Sequence, residues 1–135
     1  MSDAGRSERW EHALPLILAI CETPLLAEAL ADDLESIAIV RPFPAGRGDA
    51  RGLAANVAPD AVVVDRSEEA DELEALDVPL VHVLVDRRVV RVRRANGWHE
   101  LPNPTASAAA IRNVLLGEIF AVAAHRRSIQ PSTNA

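Results

Sequence analysis

The distribution of apolar and polar positions predicts strands that alternate with helices along the first two thirds of the chain. Four apolar runs are short and lack the alternation of a half-exposed strand, which is typical of strands buried on both faces of a parallel sheet. These runs are 14–20, 37–40, 61–64 and 78–85. Between the first two, Leu26, Leu30 and Leu34 recur at the four-residue spacing of a buried helix face. Pro42 and Pro44 predict that the second strand ends before them.

Each connection between these runs contains a residue that favours a helix start. Thr23 supplies a hydroxyl N-cap and Pro24 fits the first helical position, while Asp49 and Ser67 are suitable caps for the next two helices. The resulting order is βαβαβαβ. Connections of this type predict a parallel sheet that is covered by helices on both faces and joined by right-handed crossovers.

The stretch after the fourth strand breaks this rhythm. Residues 88–94 combine β-branched residues with arginines at a period of two, which predicts a strand. Asn96-Gly97 is a strong hairpin turn signal, and residues 98–101 can return as the second arm. A β-hairpin is therefore predicted in place of a fourth helix. Apolar residues at helical spacing then predict a last helix over about 106–124.

The length and composition of the chain restrict the classes of protein to which it can belong. A chain of 135 residues suits one domain, predicted here over 14–125, with flexible tails at 1–13 and 126–135. The hydrophobic fraction of 49% can fill a core, but an aromatic fraction of 3% requires that aliphatic side chains build it. A net charge of −6 argues against general nucleic-acid binding, and no apolar stretch is long enough to span a bilayer. We therefore expect a cytoplasmic protein that contacts neither nucleic acid nor membrane directly.

Asp65 is the residue at which a function is best sought. It follows the third apolar run directly, and ligand and reaction sites in parallel sheets lie just beyond the carboxyl ends of the strands. Its chemistry depends on whether the neighbouring strand ends supply the groups that a reactive carboxylate needs.

Four segments of the sequence resemble parts of the response-regulator receiver domain. Residues 20–30 resemble the acidic segment that opens the first receiver helix, and 59–65 resembles the phosphoacceptor strand. Residues 95–98, followed by Pro102, resemble the approach to the fifth receiver strand. The segment 110–118 is similar to the final helix of receivers that carry a helix-turn-helix output domain.

This resemblance covers roughly residues 14 to 120 and implies both a fold and a site. The implied fold is a doubly wound α/β domain with a five-stranded parallel sheet of order 2-1-3-4-5, in which the hairpin replaces the fourth helix. The implied site has its phosphoacceptor at Asp65.

The positions that the family uses for phosphoryl transfer are mostly altered. In receivers, two acids and the phosphoacceptor hold Mg²⁺; the matching positions here are Cys21, Glu22 and Asp65, and sulfur is a poor ligand for a hard cation. The switch hydroxyl falls on Leu84, and the lysine before the proline falls on Leu101. The resemblance therefore implies a degenerate receiver that is not an enzyme and needs no cofactor. Mg²⁺ is expected only if Asp65 is active, with Glu22 as a second weak ligand.

The implied function is a phosphorylation-independent module of two-component signal transduction or transcriptional regulation, which binds another protein or itself. Receivers commonly self-associate through the last strand and the last helix, so the resemblance implies a homodimer. The candidate interface or ligand residues are Arg88, Arg91, Arg93, Trp98, Leu116 and Phe120. Two alternatives stay open. One is a phosphoacceptor modified on Asp65 with Mg²⁺, and the other is a sensor of a small anionic ligand that uses the arginine hairpin.

Several of these candidates also have a purely structural interpretation. Asp65 can cap the next helix or persist as a family relic, and Asp65→Asn is then expected to leave the fold intact or slightly more stable. Cys21 is either a reactive thiol or a small buried apolar residue. Trp98 can cover its own core, and His82 is expected to be a hydrogen-bonded core histidine. The acids between 65 and 77 are expected to form a solvated helix face.

Overall fold

Six strands and four α-helices are seen in the computed structural model, which describes residues 14–87, 89–94, 96–102 and 109–118. The predicted tails and both ends of the predicted last helix lie outside these residues. In chain order the elements are β1 (Leu16–Cys21), α1 (Pro24–Asp33), β2 (Ile39–Pro44), α2 (Ala50–Val57), β3 (Ala61–Val64), α3 (Ser67–Glu72), β4 (Leu80–Leu84), a short 3-10 helix (Val85–Arg87), β5 (Val89–Arg94), β6 (Gly97–Pro102) and α4 (109–118).

The strands form one sheet in the order β2-β1-β3-β4-β5-β6. The first four strands are parallel, whereas β5 runs antiparallel to β4 and β6 antiparallel to β5. The predictions of an α/β fold and of the hairpin are confirmed, but the five-stranded parallel order is wrong beyond β4. Only the 3-10 helix Val85–Arg87 and one further residue separate β4 from β5, and a parallel return needs a crossover of about a dozen residues.

Alternate strand residues point into two cores, one on each face of the sheet. The first, the α1/α4 core, packs strand residues such as Val81 and Val92 against Leu30 of α1 and against Ile111 and Leu115 of α4. The second, the α2/α3 core, packs the opposite strand residues against helix residues Ala50, Ala54 and Ala70. Ile111 and Leu115 are fully buried, so truncation of either to Ala is expected to cost about 2–5 kcal/mol. The prediction that helices cover both faces is confirmed.

β2 runs through Pro42 and Pro44, so the prediction that these prolines end the strand is wrong. The N–H groups of Ile39 and Ala45 both donate to carbonyls of the β1 segment. Because backbone groups alternate in direction along a strand, the odd-numbered residues of β2 face β1 and the even-numbered ones face away. The nitrogens of both prolines therefore point away from the sheet, where no ladder hydrogen bond is lost.

The helix starts follow the predicted pattern fully only at α2. Asp49 is the N-cap there and accepts the N–H of Gly52 at 3.2 Å. Pro24 begins α1 as predicted, but the Thr23 side chain makes no cap hydrogen bond. Ser67 is the first residue inside α3, and its predicted role as N-cap is wrong. The turn before α1 is instead held by Asp65, the residue that follows β3.

Candidate functional site

Asp65 lies at the carboxyl edge of the sheet, immediately after β3 and level with the end of β1. Its Oδ1 atom accepts the backbone N–H of Glu22 at 2.8 Å, and its Oδ2 atom accepts that of Thr23 at 3.1 Å. Both amides belong to the turn between β1 and α1. The interpretation that Asp65 caps the following helix is therefore wrong, because its carboxylate holds the turn that precedes α1.

Asp60 has the corresponding position at the opposite end of β3. Its Oδ2 atom accepts the N–H of Leu16 at 2.8 Å, and its own N–H donates to the carbonyl of Leu16 at 2.7 Å. The apolar run of β3 is thus flanked by two aspartates, Asp60 and Asp65, which bind the two ends of β1. This symmetry favours a structural role for both carboxylates.

Cys21 is the last residue of β1 and is 4% exposed. Its side chain packs with Ala19 and Ala27 in a small apolar cluster. Burial, and to a smaller extent the negative charge of Asp65, raise the pKa of the Cys21 thiol to about 12. The thiolate is the form that reacts or binds metal, so this environment fits the small buried apolar residue and not the reactive thiol.

The other positions matched to the receiver site do not bring charge to Asp65. Glu22 contributes its backbone N–H, while its side chain is exposed. Leu84 ends β4 and is half-buried. Leu101 lies on β6, three strands from β3 and hence about 14 Å away, because the antiparallel β5 is inserted between β4 and β6. Among the described residues, no group of three or more His, Cys, Asp or Glu side chains is placed to hold a metal ion.

The arginines of the hairpin make contacts within the chain. Arg93 donates through its guanidinium to two carbonyls of the loop that follows α3, one of them at 2.7 Å. Arg94 donates to Oε2 of Glu118 on α4 at 2.7 and 3.1 Å, and this hydrogen bond raises the pKa of Arg94. The two side chains tie β5 to the α3 loop and to α4. Arg88 lies outside the described residues.

Trp98 on β6 belongs to a stacked group of three side chains. The guanidinium carbon of Arg91 lies 4.3 Å from the centroid of the indole, which is a cation–π arrangement. The ring of His82 meets the indole edge-on, with centroids 6.3 Å apart and 68° between the ring planes. Trp98 is half-buried and packs against the α2/α3 core, as expected if it covers its own core. Its role at an interface stays a prediction.

His82 is a buried histidine, and one of its ring nitrogens has no partner in the described part of the chain. It is 1% exposed, and its Nδ1 atom has no hydrogen-bond partner among the described residues. The prediction of a core histidine is confirmed, but the predicted hydrogen bond is missing at Nδ1. Burial lowers the pKa of His82, Arg91 lowers it further, and Asp65 and Asp71 act in the opposite direction. The environment therefore favours the neutral imidazole.

Two acids of α3 make contacts that are not evident from the charge pattern. Glu69 is 4% exposed; its Oε2 accepts the N–H of Gly46 at 2.9 Å, and its Oε1 lies 3.0 Å from Nε of Arg66. Oε2 of Glu72 accepts the N–H of Arg51 at 3.3 Å. The solvated-face interpretation is wrong for the buried Glu69, which binds the segment before α2, whereas the half-buried Glu72 binds the first turn of α2. The signal in the sequence was the glycine at position 46: its φ is +82°, and a side chain there would collide with Arg66.

The last helix and one surface cleft are two further candidates for a functional site. Leu116 of α4 is half-buried, Phe120 lies outside the described residues, and the interface expected on this helix stays a prediction. A cleft of about 320 Å³ lies between β2 and α2, where Phe43 and Leu53 form its apolar wall. Its lining includes none of the positions matched to the receiver site, so it has no part in chemistry at Asp65.

Comparison of the chain with protein-family models, with curated protein sequences and with solved structures finds no match. The resemblance to receivers rests on the four sequence segments given above. Within the part of the chain that the structure describes, no helix is both long and apolar enough to cross a bilayer.

Proposed function

We propose that this chain is a degenerate receiver-like domain that acts as a phosphorylation-independent interaction module in signal transduction or transcriptional regulation. The observation that carries the proposal is the pair of hydrogen bonds from the N–H groups of Glu22 and Thr23 to the two carboxylate oxygens of Asp65, at 2.8 and 3.1 Å. These bonds connect β3 to the turn before α1. In this proposal Asp65 has a structural role and no role in chemistry.

The surroundings of Asp65 support the same conclusion. Phosphoryl transfer needs cations around the charge that develops on the transferred group. The raised pKa of Cys21 keeps its thiol neutral, and Leu84 supplies neither a hydroxyl nor a charge. Leu101 is aliphatic and packs against the α1/α4 core. Of the four matched positions around Asp65, none supplies a cation and only Glu22 is an acid, so the proposed module is not an enzyme and uses no Mg²⁺.

The two alternative functions have less support from the contacts. A phosphoacceptor would need Mg²⁺ held by Asp65 and by the exposed side chain of Glu22. An anion sensor on the hairpin would need free guanidinium groups, but those of Arg93 and Arg94 already donate to oxygens of the chain itself. The guanidinium of Arg91 is stacked on an indole ring. The interaction module requires none of these groups to be free.

The chemical part of the proposal is tested by a phosphodonor. The full chain is incubated with Mg²⁺ and acetyl phosphate and weighed intact, beside Asp65→Asn and beside a receiver that has all of its site residues. The expected result is a phosphoryl adduct on the control receiver alone. A stoichiometric adduct on this chain that disappears in Asp65→Asn would contradict the proposal.

The binding part is tested by partner capture from the native cell. Wild type and Asp65→Asn, immobilised at equal density, are expected to retain the same partner in equal amounts, with and without acetyl phosphate in the lysate. Retention that depends on acetyl phosphate and on Asp65 would favour the phosphoacceptor alternative.

A further inference from the structure

The two edges of the sheet differ in the backbone groups that they present. On β2, the odd-numbered residues bond to β1, so Val40, Pro42 and Pro44 face away from the sheet. Both prolines lack an N–H, which leaves Val40 as the one outward donor among the residues of β2. Prolines on an edge strand prevent the addition of another strand, so this edge is protected.

The edge at β6 has no such protection. The N–H of Val62 donates to the carbonyl of Pro79, so the odd-numbered residues of the β4 segment face β3 and the even-numbered ones face β5. Residues whose backbone groups face each other across an antiparallel pair bond to each other, so the odd-numbered residues of β5 face β4 and its even-numbered residues face β6. The even-numbered residues of β5 lie opposite the odd-numbered residues of β6, which therefore face β5. Trp98 and Glu100 therefore direct their N–H and C=O groups outward. No described strand lies beyond them.

We propose that β6 pairs antiparallel with β6 of a second copy of this chain, so that two sheets join across a twofold axis. This inference rests on the proposed interaction function and identifies its partner. An edge strand with free backbone donors and acceptors is a template for strand addition, and symmetric pairing of one edge with itself produces a closed dimer. β6 is six residues long and has no proline before its last position.

Charge selects one register for this pair of strands. Glu100 is exposed and lies opposite Arg91 in the register of β5 and β6, but no ion pair joins the two side chains, because the guanidinium of Arg91 lies 4.3 Å above the ring of Trp98. When Trp98 of one copy lies opposite Glu100 of the other, the carboxylate of each Glu100 lies near the guanidinium of Arg91 that is stacked on the opposite copy's Trp98. Placing Glu100 opposite itself, or Trp98 opposite itself, brings like charges together. The selected register also pairs every outward N–H and C=O of these two residues with its counterpart.

The oligomeric state of the full chain tests the inference, measured by light scattering after size-exclusion chromatography over a range of micromolar concentrations. The wild type is expected to be a concentration-dependent dimer. Glu100→Pro removes an outward N–H without breaking a hydrogen bond to β5, so it should yield a monomer with an unchanged circular dichroism spectrum. Val40→Pro makes the same change on the β2 edge as a matched control and should leave the dimer intact.

Two further measurements decide the result if a proline variant fails to fold. Glu100→Arg keeps the backbone donor but places a cation opposite Arg91 of its own chain and beside the partner's Arg91, so it should also give a monomer, with a circular dichroism spectrum that shows the hairpin intact. In the wild type, hydrogen exchange of the Trp98 and Glu100 amides should slow as dimer forms. A wild-type monomer overturns the inference, as does a dimer that survives Glu100→Arg while both amides exchange rapidly. Either outcome leaves the proposed function standing, because the phosphodonor and capture experiments test it separately.

Discussion

The carboxylate of Asp65 accepts the backbone N–H of Glu22 at 2.8 Å, which places the acid at the end of β3 in direct contact with the turn that leaves β1. Asp60, at the start of β3, accepts the N–H of Leu16 at the same distance. β1 is thereby bound at both ends by side chains of its neighbour. Asp65 therefore lies where reactive groups are found in parallel sheets, but both of its carboxylate oxygens accept backbone N–H groups that hold a turn.

The first prediction concerns the stability of Asp65→Asn. The amide has one acceptor oxygen where the carboxylate has two, and its NH₂ group faces a backbone donor. The substitution is expected to lower the free energy of unfolding by about 1–2 kcal/mol, measured by urea denaturation. Asp32→Asn, at an exposed position on α1, is the control and should change it by less than about 0.5 kcal/mol. A more stable Asp65→Asn would restore the interpretation of Asp65 as a relic repelled by Glu22.

The second prediction compares two adjacent acids that share one arginine. Glu69 is buried and accepts the N–H of Gly46, whereas the side chain of Glu68 is 72% exposed at 3.4 Å from Nε of Arg66. Glu69→Gln should lower the free energy of unfolding by about 1–3 kcal/mol, since Arg66 then loses its buried anionic partner. Glu68→Gln should lower it by less than about 0.5 kcal/mol. Thermal and urea unfolding of both variants provide the measurement. Equal effects would show that Glu69 does not hold the segment before α2.

The third prediction is a dependence of stability on pH that originates at His82. Burial and Arg91 lower its pKa in the folded state below the ordinary value of 6.5. Above the pKa that His82 has in the unfolded chain, the imidazole is neutral in both states and stability is highest. As the pH falls below that value, the unfolded chain binds a proton at His82 and the folded chain does not, so stability decreases. The free energy of unfolding should decrease as the pH falls from about 7 to about 5, above the range in which most carboxylates titrate.

His82→Leu isolates this contribution. The substitution keeps a similar side-chain volume and removes a ring nitrogen that has no described partner, so the variant should fold at neutral pH. Its stability should fall less steeply than that of the wild type over the same pH interval. Parallel pH profiles for the two proteins would show that His82 is not the source.

The fourth prediction concerns the reactivity of Cys21. With the thiol 4% exposed and its pKa raised to about 12, the folded protein at neutral pH should not react with iodoacetamide. The same protein in concentrated urea should take up one equivalent, as measured by intact mass. Rapid alkylation of the folded protein would show that the turn after β1 opens readily or that Cys21 is a reactive site.

The fold was predictable from sequence wherever one local pattern decided it. The apolar runs, the Pro24 helix start and the Asn96-Gly97 turn define the strands, α1 and the hairpin. The insertion of β5 between β4 and β6 was missed because the resemblance to receivers placed a parallel fifth strand beside β4, while the short link after Leu84 permits only an antiparallel return. The course of β2 was missed because the effect of Pro42 depends on which side of the strand faces a neighbour.

The site was less predictable, because it is made by contacts distant in sequence. The importance of Asp65 follows from its place after a buried strand, yet its hydrogen bond to the Glu22 amide depends on the register of β1 and β3. The burial of Glu69 depends in the same way on how α3 meets the turn at Gly46. A charge pattern along one helix indicates the solvated face on average and does not identify the acid that turns inward.

The most direct test of the central claim is an amide NMR titration with Mg²⁺ and beryllofluoride, which binds reactive aspartates in place of a phosphoryl group. If Asp65 only holds the turn, the amide signals of Glu22, Thr23 and Asp65 should stay in place at saturating concentrations, and the titration should look the same in Asp65→Asn. Saturable shifts of these signals in the wild type that are absent in Asp65→Asn would show that Asp65 binds the phosphoryl mimic and would contradict the structural role proposed for it.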